Sequence, residues 1–127
     1  MNMEIYEKIL GRALTLTEEI SRRSAGPDTL EQYKDQIVAK LEMLFDDLAK
    51  LQTLLPRGEF ADDLRACARK LRRHGGEIII LTRKNPAPIE EIRGWAALWL
   101  DFEDAVADLT QFLWKLQREP GPDLRNG

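Results

Sequence analysis

Apolar residues recur along this chain in steps of three and four, and the pattern starts afresh four times. Tyr6, Ile9, Ala13, Leu16 and Ile20 mark the first run, which stops in the sequence SAGPD. The second is longer, through Leu30, Tyr33, Ile37, Leu41, Leu44, Leu48, Leu51 and Leu55. Phe60, Leu64, Cys67, Leu71, His74, Ile78 and Leu81 form the third. Ile92, Trp95, Trp99, Phe102, Val106, Leu109, Leu113 and Leu116 form the fourth. This spacing places each set along one side of an α-helix. Asp28, with Glu31 three residues on, predicts the N-cap of the second helix, and Pro56 and Gly58 its end. The turn NPAP at 85–88 introduces the fourth helix, and Pro120-Gly121-Pro122 closes it.

The third run crosses Gly75 and Gly76 and then three isoleucines, which favour a strand by propensity. A strand at residues 77–82 would have no partner strand elsewhere in the chain. The unbroken spacing from Phe60 to Leu81 therefore predicts one helix over residues 59–84. Four helices with short connections predict an all-α, antiparallel up-down-up-down four-helix bundle over residues 1–118, followed by a polar tail at 119–127.

Folding the third helix back on the fourth sets Gly75 and Gly76 opposite Ala97 and Leu98, with Trp95 and Trp99 to either side. A helix-interior glycine costs about 1 kcal/mol relative to alanine. The expected reason for the pair is room for two indoles. Ala13 and Leu41 fall in the same layer, so Ala13, Leu41, His74, Trp95 and Trp99 define either a solid waist or a small-ligand pocket with His74 as its polar handle.

Length and composition fit one soluble domain: 127 residues, 43% hydrophobic and 32% charged. The net charge of −3 gives no overall attraction to nucleic acid, so nucleic acid is not the expected partner. No apolar run reaches the roughly 18 residues a membrane span needs, and the start does not read as a secretory signal. A single cysteine, Cys67, excludes an internal disulfide and fits a reducing, cytoplasmic setting.

Chemistry-bearing constellations are sparse. One histidine beside Glu77 does not supply the repeated Glu-x-x-His pairs of a bundle metal site, so no metal or other cofactor is expected. The acid pairs Asp46-Asp47, Asp62-Asp63 and Glu90-Glu91, and the acids from Asp101 to Asp108, read mostly as solvated faces. Histidine phosphotransfer domains are also bundles, but they carry a basic residue three positions after the histidine, where this chain has Glu77. The spacing of Arg69 and His74 resembles the Arg-x4–6-His motif of HEPN ribonucleases, which implies RNA cleavage by those two residues. Lys70 departs from the Asn, Asp or His usual after that arginine.

Seven basic residues against one acid between Arg65 and Lys84 predict salt bridges to acids on the adjacent helices. The fourth helix carries Leu98, Leu100, Phe112 and Trp114 beside its seam, more apolar surface than a monomer covers. The expected function is therefore non-enzymatic: an adaptor or chaperone-like binding protein, acting through these four residues on a protein partner or as a homodimer. In size and acidic helical character the chain looks like small export chaperones and adaptors.

Overall fold

The computed structural model describes residues 2–23, 27–55, 57–84 and 93–119. They form four helices: α1 (Asn2–Arg23), α2 (Pro27–Leu54), α3 (Glu59–Lys84) and α4 (Trp95–Arg118). The side chains of Asp28, Leu30, Glu31 and Tyr33, the turn at 85–88, Ile92 and the tail from residue 120 lie outside the described residues. No described helix is long and apolar enough to cross a membrane.

Each helix packs on its neighbours in sequence, and α1 closes the ring on α4. Cross-helix contacts give the directions. Arg12 pairs with Asp47 and Glu19 with Lys40, so a seven-residue advance on α1 is a seven-residue retreat on α2. Lys115 of α4 sits over the ring of Phe60 at 5.6 Å, whereas Lys70 reaches back to Asp104 and Asp108. Arg83 bonds Glu42 at 2.5 Å, and Gly75 faces Phe45 and Leu41. Successive helices are therefore antiparallel, as the short connections demand.

The core follows the predicted seams on α1, α2 and α4, with Ile20, Leu41, Leu44, Leu48, Phe102, Leu109 and Leu113 at 0% exposure. On α3 it is displaced by one position. The buried line runs through Ala61, Leu64, Ala68, Leu71, Gly75 and Ile78, while Phe60, Cys67, His74 and Leu81 are half-buried along one flank. Large residues at 64, 71 and 78 alternate with small ones at 61, 68 and 75, a seven-residue repeat, and at Gly75 the missing side chain leaves room for Phe45 and Leu41 of α2.

Helix starts also differ in detail from the sequence reading. Pro27 is already helical, so Asp28 stands in the first turn of α2 rather than at its cap; proline's fixed φ suits that position. Gly94 adopts φ 78°, a left-handed conformation that cannot continue a helix, and α4 begins at Trp95 rather than at the turn 85–88. Gly58, at φ 103°, precedes α3 in the same way. Asp47, expected on a solvated face, is fully buried. The Arg12 guanidinium reaches it from α1 and donates from both Nε, at 2.8 Å, and Nη2. A two-point pair of this kind compensates the buried charge. The same contact raises the affinity of Arg12 for its proton.

Candidate functional site

Of the expected waist residues, Ala13 and Leu41 are wholly buried, and Trp95, the first residue of α4, nearly so. Trp99 packs on Trp95 with ring centroids 6.3 Å apart and planes inclined at 34°. His74 is half-buried; its Nδ1 and the Trp95 Nε1 are buried without hydrogen-bond partners among the described residues. The glycine pair does not serve the tryptophans. A Cβ on Gly75 would lie 3.2 Å from Phe45 Cζ and 3.5 Å from Leu41 Cδ2, both on α2, and a Cβ on Gly76 would meet nothing within 4 Å. Gly75 belongs to the small-residue line of α3 with Ala61 and Ala68, which is why it faces α2.

Arg69 and His74 lie on different sides of α3. Five residues turn a helix through about 140°. Arg69 is exposed beside α2, whereas His74 shares the flank of Phe60 and Cys67 that borders α4. The groove that Arg69 lines between α2 and α3 does not include His74.

The expected contact surface of α4 is partly redrawn. Leu100 is 63% exposed and Trp114 45%, but Phe112 is buried at 7% and Leu98 is half-buried. Phe112 turns inward because it stands beside the seam position Leu113 on the α3 side, leaving only an edge in a shallow groove. That groove, about 550 Å³, runs between Cys67 and the side chains of Asp108, Gln111, Trp114, Lys115 and Arg118. Burial, helped by Asp108 and Asp63, raises the Cys67 pKa and so disfavours the thiolate. Leu100, Ala107 and Trp114 recur at seven-residue intervals and are all exposed, so they form one stripe of about 21 Å.

Some of the basic residues on α3 make the expected salt bridges. Lys70 donates to Asp104 and Asp108 at 2.6 Å each, which raises its affinity for its proton, and Arg83 pairs with Glu42. Among the described residues Arg65 pairs within its own helix, with Asp62. Arg69, Arg72 and Arg73 have no ion pair among the described residues. Arg65, Arg69 and Arg72 converge with Gln52 and Ala68 on a groove of about 240 Å³ between α2 and α3. Sequence reasoning treated the basic strip as one object. The spacing of 65, 69 and 72 at i, i+4 and i+7 is the signal that separates this face from Lys70.

No protein-family profile, curated protein or solved structure matches the chain.

Proposed function

We propose that the chain is a non-enzymatic binding protein acting through protein–protein contacts, in the manner of an adaptor or chaperone-like bundle, and that the outward stripe of α4 joins two copies. The exposure of Leu100 and Trp114 on the same stripe as Ala107 carries this reading. Tryptophan concentrates binding energy at interfaces, and a small residue midway lets two helices approach closely.

Charge gives the orientation. Between Trp95 and Asp108 α4 carries Asp101, Glu103, Asp104 and Asp108 and no base; from Leu109 to Arg118 it carries Lys115 and Arg118 and no acid. The helix dipole favours the bases of the last turn, and Lys70 already answers Asp104 and Asp108 within the chain, so Asp101 and Glu103 are the acids left to meet a partner's Lys115 and Arg118. An antiparallel pair centred on Ala107 sets Leu100 against the partner's Trp114 and the acidic half against the basic half. A parallel pair would oppose like charges.

Sedimentation velocity from low to high micromolar concentration tests this. The expected result is a dimer that Leu100→Glu and Trp114→Glu each convert to a folded monomer. A wild-type chain that stays monomeric throughout, or a dimer indifferent to both substitutions, would overturn it.

A further inference from the structure

We propose that the groove between α2 and α3 is a binding site for a phosphomonoester dianion, held by Arg65, Arg69 and Arg72 with the side-chain amide of Gln52. This site lies on a face away from the α4 stripe, and the proposal does not depend on dimerisation.

Residues 65, 69 and 72 occupy one side of the helix over about 10.5 Å, a distance their long side chains can close onto one group. Buried Ala68 between them keeps the groove open where a larger residue would fill it.

Internal neutralisation is also incomplete at this groove among the described residues. Lys70 and Arg83 are each answered by carboxylates from a neighbouring helix, but no such group answers Arg69 or Arg72 among the described residues. Like charges at i, i+3 and i, i+4 destabilise a helix. Arg69 and Arg72, left without a carboxylate yet gathered with Arg65 on one groove, mark a place where local stability yields to binding.

Arginine presents paired N–H donors that match phosphate oxygens in a two-point geometry, and several arginines together answer a doubly charged group better than a single carboxylate. The groove has the volume of a compact group. None of its lining residues is aromatic, so it offers no surface on which bases could stack. A chain with net charge −3 also repels an extended polyanion beyond the groove. Arg65 is shared with Asp62 at one end, so Arg69 and Arg72 carry most of the binding.

Titration calorimetry of the full chain with inorganic phosphate, O-phosphoserine and a short phosphoserine peptide tests the site, with sulfate and single-stranded RNA as comparisons. Saturable binding of O-phosphoserine is expected, weakened at least tenfold by Arg69→Gln/Arg72→Gln and unchanged by Arg83→Gln. Below a pH of about 6 the phosphoserine dianion gains a proton, so its binding should weaken several-fold while sulfate binding stays constant. Equal affinity for phosphate and phosphoserine assigns recognition to the phosphoryl group itself, and tighter binding of the peptide assigns it to a phosphorylated protein. Absence of saturable binding, equal binding by the double variant, or tighter binding of RNA than of every phosphomonoester would overturn the proposal. Leu100→Glu should leave phosphate binding intact, which separates failure of this site from failure of the α4 interface.

Discussion

Gly75 and Gly76 are adjacent in sequence, yet alanine at the two positions should have different effects. In a helix interior Gly→Ala stabilises by about 0.4–1 kcal/mol where the new methyl meets no obstacle, chiefly by restricting the unfolded chain. Gly76 has that freedom, since nothing lies within 4 Å of its added Cβ. Gly76→Ala should therefore raise the melting temperature by roughly 1–5 °C for a domain of this size. At Gly75 the new methyl would sit 3.2 Å from the tip of the Phe45 ring, inside the roughly 3.5–4.0 Å of favourable carbon contact. The half-buried ring must give way, and displacing a side chain from its rotamer by about 30° costs on the order of 0.5–1.5 kcal/mol. That offsets the helical gain, so Gly75→Ala should be nearly neutral and Gly75→Leu should lose about 1–3 kcal/mol or more. Urea denaturation of both alanine variants, repeated in a Phe45→Leu background, isolates the contact. The smaller side chain should restore the full gain at Gly75, a coupling of about 0.5 kcal/mol or more. Equal stabilisation at the two glycines with Phe45 intact would refute the packing of Gly75 on α2.

Three further outcomes follow from other parts of the bundle. Burial, with Glu7 adding to it, raises Tyr6 from 10.0 to about 12, so the folded state holds the phenol proton more tightly. Tyr6 should therefore contribute no pH dependence below about 10 and a fall in stability between 10 and 12 as the unfolded chain ionises; urea midpoints across that range should lose this component in Tyr6→Phe. Arg12→Met should lower the urea midpoint more than Asp47→Leu, because the first strands a buried carboxylate and the second leaves an arginine that can turn to water; equal losses would count against the buried pair. Gly94→Ala should destabilise by about 1–2 kcal/mol through its positive φ, and a neutral melt would show that α4 can start without that conformation.

The helices were legible in the sequence because each apolar run holds its period for at least four turns, and the third run kept that period across Gly75-Gly76 against the β propensity of Ile78, Ile79 and Ile80. Antiparallel order followed from short connections. What periodicity could not settle was which of two adjacent lines on α3 faces the core. Hydrophobicity favoured Phe60, Cys67, His74 and Leu81, whereas close packing selected Ala61, Ala68 and Gly75, whose small size is itself the signal. Folding α3 onto α4 assigned the glycines to Trp95 and Trp99, whereas Gly75 lies on the line that faces α2. Asp47 was missed for a different reason: a buried carboxylate depends on Arg12, thirty-five positions away, and nothing local announces the pair. The α4 surface was half legible. Leu100 and Trp114 emerge as read, and Phe112 does not, since a residue at the edge of a seam goes to whichever side has room.

The central claim, that two copies pair antiparallel along α4 about Ala107, is tested most directly by cysteine cross-linking. In a Cys67→Ser background, Ala107→Cys places a thiol beside the two-fold axis, close to its own copy, and Leu100→Cys places one opposite the partner's Trp114, far from its own copy. Under mild oxidation the Ala107→Cys protein should run as a disulfide-linked dimer and the Leu100→Cys protein should remain a single chain. No cross-link at 107, or cross-linking of equal extent at 100, would contradict the account.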